Sequence, residues 1–230
     1  MAFSLLQCSR HLRAEEGSAH AGEDGLLAFA YSVLPSTVAM ERTLSTFEFV
    51  LVLIAIVAGF AISEILSAWG RLIRSRANLS DAALYLAASM VLQSYIVRYV
   101  WELWTVRAVE WSMPLFMLAF TPMWIAALAA YVISIPRETK ITIHAHYFAE
   151  SRPFFMLMAL FLVISEASGQ YLAGAAGAGS RPDAAQAMRL LAIGVTLTLA
   201  FSRSRFAHAV LLAVLVGFLQ IGSVVFAPRL

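Results

Sequence analysis

The stretch STFEFVLVLIAIVAGFAISEILSA, residues 45–68, decides the fold class. Its ionisable side chains are Glu48 and Glu64, and it contains no proline. About 20 consecutive apolar residues allow an α-helix to cross the hydrocarbon core of a bilayer. The stretch therefore predicts a membrane-spanning helix.

Five more apolar segments follow, and most of the connections between them are short. The six predicted spans are residues 45–68, 82–105, 112–135, 154–173, 184–201 and 206–226. The fifth is the weakest because it is short and carries Arg189 near its start. We predict an all-α integral membrane protein with six transmembrane helices in one bundle, which occupies residues 44–230.

The composition of the whole chain agrees with this class. Of its 230 residues, 61% are apolar and 13% are charged, whereas a soluble domain carries about 25% charged residues. These figures exclude a soluble enzyme, a disordered protein and a disulfide scaffold. The net charge of +2 is too balanced for a nucleic-acid-binding protein, which would show a concentrated basic patch.

Cysteine and lysine each occur once in the chain, and this excludes several kinds of functional site. The single cysteine, Cys8, cannot form an internal disulfide, a zinc site or an iron–sulfur site. The single lysine, Lys140, lies in a predicted loop, so a Schiff-base lysine inside the bundle is excluded. We predict no cofactor and no metal site.

Residues 1–43 differ from the rest because they are richer in charge and glycine. Their apolar run, residues 25–39, is too short for a span and contains Pro35. They do not resemble a signal peptide either. Three interpretations stay open: a flexible tail, an interfacial helix, and a start codon placed too far upstream, with Met40 as the alternative start. We expect the tail or the misplaced start, and we expect residues 1–39 to be dispensable for folding.

The loop charges predict an orientation, because cytoplasmic loops of membrane proteins are enriched in lysine and arginine. Loops 69–81, 136–153 and 202–205 carry more of these residues than the opposite side. We therefore expect these loops in the cytoplasm of a bacterium, both termini outside, and the inner membrane as the location.

Small residues recur at every fourth position in three of the predicted helices. The stripes are Ala55, Gly59, Ser63 and Ser67 in the first helix, Ser165, Gly169 and Ala173 in the fourth, and Ala209, Ala213 and Gly217 in the sixth. Such stripes allow helix backbones to approach closely in a membrane. We expect helices 1, 4 and 6 to form the inner contacts. The expected partners are the lipid bilayer and, as open alternatives, a second copy or another membrane protein.

Two glutamates of the first helix have structural explanations. Ser45 and Glu48 have the spacing of a capping box, in which each side chain accepts a hydrogen bond from a backbone amide of the first turn. Glu64 and Arg71 are seven residues apart and lie on nearly the same face. We expect an interfacial ion pair between them.

The remaining polar side chains converge on the outer half of the bundle. They are Arg98 and Glu102 of the second helix, Glu166 and Gln170 of the fourth, and Gln220 of the sixth. A charged group inside a span is costly unless it is paired. We expect Arg98 to approach Glu166 and to pair with Glu102 at i+4. Two interpretations stay open: a structural lock between helices, and a solvated pocket for an ion or small solute.

Catalytic arrangements are not evident in the sequence. Ser168 and His208 occupy the helices that carry the serine and histidine of a rhomboid-type protease, but helical rise places them more than about 15 Å apart, too far for catalysis. His144 and His146 would share a face only in an extended segment. We predict no catalytic residues.

We therefore expect a membrane protein that transports or senses a small solute or ion through the outer-half pocket. The alternative is a non-catalytic membrane subunit or scaffold, in which the intramembrane polar groups only hold helices together.

Overall fold

The computed structural model describes residues 45–75, 78–135, 142–175 and 183–225, and these residues form six helices with no strand among them. The helices are α1 (Thr46–Arg74), α2 (Leu79–Leu103), α3 (Met113–Ile133), α4 (Ile143–Ala175), α5 (Asp183–Phe201) and α6 (Arg205–Val225). A 3-10 turn, Trp104–Val106, extends α2. The expectations for residues 1–43 lie outside the described residues.

Four helices are long and apolar enough to cross a membrane: Thr46–Arg74, Ser80–Val106, Met113–Ile133 and Ile143–Ala175. The apolar parts of α5 and α6 are shorter, Gln186–Phe201 and Arg205–Gln220. Each of the six helices overlaps one predicted segment, so the all-helical prediction is confirmed, and a membrane protein with four spans is compatible with these lengths.

The largest boundary difference is at α4, which begins at Ile143 and not at residue 154. The predicted segment begins where the continuous apolar residues begin, after Arg152 of the predicted loop 136–153. Proline also normally disfavours helical backbone in the residue before it. Pro153 instead lies inside the helix, and Tyr147 and Ser151 on the preceding turns are buried. Packing of this turn against its neighbours outweighs the local effect of proline, so residues 143–153 of the predicted loop 136–153 are helical.

The first helix begins at a side-chain cap and buries one face. The predicted capping box is confirmed: Glu48 N–H donates to Ser45 Oγ (3.2 Å), and Ser45 N–H donates to Glu48 Oε2 (2.8 Å). The buried residues of α1 are Phe47, Val50, Ile54, Ala58, Ala61, Ile65, Ala68 and Leu72.

The small-residue stripe of α1 lies on the exposed face, since Ala55, Gly59, Ser63 and Ser67 are all exposed. Ala209 and Ala213 of α6 are exposed as well, while Gly217, Ser165 and Gly169 are half-buried. In the described helices α1 packs on α2 and α3, α4 packs on α2, α3 and α5, and α6 packs on α2 and α5. The structure thus contradicts the expectation that α1, α4 and α6 form the inner contacts within this chain; the periodicity identified residues that share a face but not which face meets a neighbour.

Candidate functional site

A pocket opens at the end of the bundle where α2 and α4 finish and α5 begins, called here the pocket end. Its walls come from α2, α4, α5 and α6, and the space in it for water-sized molecules is about 50 Å³. The lining residues are Tyr95, Arg98, Tyr99, Glu102, Phe161, Leu162, Ser165, Glu166, Met188, Arg189, Ala192 and Phe218. Charged groups from three helices therefore face one cavity.

The charged wall from α2 is the pair that the i, i+4 spacing predicts. Arg98 Nε donates to Glu102 Oε1 at 2.9 Å. The helix backbone fixes this spacing, so the pair needs no tertiary contact to form. The predicted Arg98–Glu102 pair is confirmed.

Arg189 of α5 joins the two glutamates of the pocket. Its Nη2 donates to Glu102 Oε1 at 2.6 Å, and its Nη1 donates to Glu166 Oε2 at 2.8 Å. One guanidinium thus connects α2, α4 and α5 through two charge-assisted hydrogen bonds. This role of Arg189 was not predicted, since the residue counted only as a weakness of the fifth segment. An arginine within an apolar segment is the signal that could have identified it.

Glu166 of α4 is the most buried charged group of the site, with 9% of its side chain exposed. Gln170, one turn further along α4, donates from Nε2 to Glu166 Oε1 at 2.9 Å. Both carboxylate oxygens of Glu166 therefore accept hydrogen bonds. Arg98, Glu102, Glu166, Gln170 and Arg189 are called the pocket network below.

Two predictions about the site differ from the structure: the direct approach of Arg98 to Glu166, and the place of Gln220 in the pocket. Arg98 and Glu166 both line the pocket, but the described ion pairs connect them through Glu102 and Arg189. Gln220 is exposed on α6 and is not among the lining residues. The position of a residue along its helix predicts its depth in the bundle. It does not predict which side chain on another helix the residue will contact.

A second polar cluster lies at the opposite end of the bundle, where α1 and α3 finish. The predicted ion pair is present there, with Arg71 Nη2 3.6 Å from Glu64 Oε1. Ser134, the residue directly after α3, links the two, since it accepts from Arg71 Nη2 (2.9 Å) and its hydroxyl donates to Glu64. Glu64, Arg71 and Ser134 are called the opposite-end cluster.

The histidines do not form a metal or catalytic site in the described part of the chain. His208 is fully buried; it lies 2.7 Å from the Tyr147 hydroxyl through Nδ1 and 3.0 Å from the Ser202 carbonyl through Nε2. Because the carbonyl requires a donor, Nε2 carries the proton and Tyr147 donates to Nδ1. Ser168 donates to the Ser165 carbonyl (3.1 Å), so serine and histidine each have other partners.

His144 and His146 lie in the first turn of α4 and not in an extended segment, so the geometry considered for a metal pair does not occur. Among the described residues, no group of three or more histidine, cysteine or acidic side chains could hold a metal ion.

No family model matches the chain, and neither a curated protein nor a solved structure is significantly similar to it. The functional argument therefore rests on the chemistry of the pocket.

Proposed function

We propose that this chain is a six-span protein of the bacterial inner membrane that binds a small solute or ion in the pocket, in order to transport or sense it. The observation that carries the proposal is the convergence of two arginines and two glutamates on one cavity with apolar walls. A few convergent polar groups in an otherwise apolar cavity are typical of ligand sites. Charged side chains inside a membrane domain commonly mark solute or ion pathways.

The proposed orientation puts the pocket end outside and the opposite-end cluster at the cytoplasmic surface. The arginines of the 69–81 and 202–205 loops support this orientation. Reporter fusions at Ser75 and Thr139 should then read cytoplasmic, and a fusion at Gly179 should read periplasmic. The inverse pattern would contradict the orientation.

Water access to the pocket can be measured with single cysteines. Because Cys8 is the only native cysteine, a Cys8→Ser background allows Ser165→Cys and Ser168→Cys to be compared. Ser165 lines the pocket, whereas Ser168, less than one turn away on α4, is fully buried. We expect a membrane-impermeant maleimide, added outside intact cells, to label Ser165→Cys and not Ser168→Cys, and both cysteines to be labelled after denaturation.

Failure of Ser165→Cys to react from either side of the membrane would contradict a solvated pocket. It would favour the alternative function, a non-catalytic membrane subunit or scaffold. That alternative is supported by the mutual pairing of the four charges, since a paired network can hold α2, α4 and α5 together without any ligand.

A further inference from the structure

We infer that the solute bound in the pocket is a small monocarboxylate anion and that Arg98 is its anchor. The inference rests on the proposed function and names the ligand class for that site.

The carboxylates of the pocket are already occupied. Glu102 Oε1 accepts from both Arg98 and Arg189, and the two oxygens of Glu166 accept from Gln170 and Arg189. A cationic ligand would compete with a guanidinium or an amide for these oxygens. The site therefore does not favour a cation.

The polar groups of the pocket that have no described hydrogen-bond partner are hydrogen-bond donors. Arg98 uses Nε for Glu102, and in the part of the chain that the structure describes its two terminal nitrogens have no hydrogen-bond partner. The Tyr95 hydroxyl on the same wall is likewise unbonded there, and Arg189 Nε is a buried N–H without a described acceptor. A guanidinium edge presents parallel N–H groups that match the two oxygens of a carboxylate.

The charge and size of the cavity restrict the anion further. Two arginines and two glutamates cancel in formal charge, so a monovalent anion adds one uncompensated charge to the site, whereas a divalent anion such as sulfate or hydrogen phosphate adds two. Phe161, Leu162 and Phe218 line the remaining wall and suit an apolar substituent. The volume of about 50 Å³ corresponds to a few water molecules, at roughly 10–15 Å³ each, which fits a short-chain carboxylate.

The test measures equilibrium binding of three radiolabelled probes to the purified full chain in detergent: propionate, chloride and methylammonium. We expect saturable binding of propionate. Arg98→Gln should weaken it about tenfold to a hundredfold, because charge-assisted hydrogen bonds to the anion are lost. Arg98→Lys, which keeps the charge and loses the planar fork, should weaken it less, and Tyr95→Phe should weaken it a few-fold.

Arg205→Gln is the matched control, because Arg205 is an exposed arginine paired with Asp81 at the far end of α2 from the pocket (3.7 Å). It should leave propionate binding unchanged. Arg98→Gln is expected to fold, since Glu102 retains Arg189 as partner, and its unfolding temperature verifies this. If Arg98→Gln unfolds, propionate binding by Arg98→Lys and by Tyr95→Phe is compared with that of Arg205→Gln instead.

The results of this binding test distinguish a failure of the monocarboxylate inference from a failure of the proposed function. Saturable binding of chloride or methylammonium without propionate would overturn the inference and leave a solute-binding pocket in place. Propionate binding that is insensitive to Arg98 and Tyr95 would also overturn it. If none of the probes binds and the cysteine at position 165 is unreactive, the proposed function fails as well.

Discussion

The pocket network and the opposite-end cluster both pair arginine with glutamate, but they differ in how many helices they join and how deeply. The pocket network links α2, α4 and α5, and the Glu166 side chain is 9% exposed. The opposite-end cluster links α1 and α3, and the Glu64 side chain is 40% exposed. Arg71 and Arg189 are equally exposed, at 22% of the side chain, so the difference in burial between the two clusters lies in their glutamates.

This difference in burial predicts a difference in energetics. Removal of one partner from a buried pair leaves an uncompensated charge, which is strongly destabilising. An exposed pair is screened by solvent and contributes little. We therefore expect matched substitutions in the two clusters to differ several-fold in their effect on the free energy of unfolding.

The largest effect is expected for Glu166→Ala. It removes an acceptor of Arg189 while that arginine stays mostly buried, and breaking such a pair typically costs about 3–5 kcal/mol. Unfolding of the purified protein in detergent, followed by circular dichroism, measures the change. A loss below about 1 kcal/mol would place the pocket network in the same class as a surface pair.

The next effect is the coupling between Glu166 and Arg189. The double variant Glu166→Leu with Arg189→Leu removes both charges, and Glu102 retains Arg98. It should be less destabilised than Glu166→Ala, because no unpaired charge is left between these two positions. A double-mutant cycle should give a coupling of about 1–3 kcal/mol.

A second double-mutant cycle combines substitutions of Glu166 and Arg98. Arg98 is the partner that the sequence predicted for Glu166, because the two residues lie at a similar depth along their helices. Since the described bonds of Arg98 run to Glu102, its coupling to Glu166 should be the smaller of the two. The opposite order would contradict the bridging role of Arg189.

If the Glu166/Arg189 double variant is stable but no longer binds propionate, the pocket interpretation is favoured over a purely structural lock.

The two clusters also show what the sequence could predict. The six helices, the Ser45–Glu48 cap, the Glu64–Arg71 pair and the Arg98–Glu102 pair all follow from local periodicity, because residues on one helix have fixed relative positions. Arg189 was missed as a partner because its bonds cross between helices. Helix rotation is set by side-chain packing, which a single sequence does not encode locally, so the inward face of α1 could not be predicted either.

A smaller effect is expected at the opposite-end cluster. Glu64→Gln removes the charge and keeps the shape of the side chain, so an amide oxygen remains to accept from Ser134. We expect a loss of at most about 1 kcal/mol, measured under the same conditions as Glu166→Ala. A loss as large as that of Glu166→Ala would show that exposure does not distinguish the two clusters.

The smallest effect is expected for Gly59→Leu on the exposed face of α1. Nothing lies within 4 Å of a Cβ built at this glycine, so we expect the free energy of unfolding to change by less than about 1 kcal/mol. Ala58→Leu is the control one residue away: Ala58 is 5% exposed, and overpacking there should cost about 1–3 kcal/mol. If Gly59→Leu costs as much as Ala58→Leu, the small-residue face is packed against another surface, and the assignment of the two faces of α1 would have to be revised.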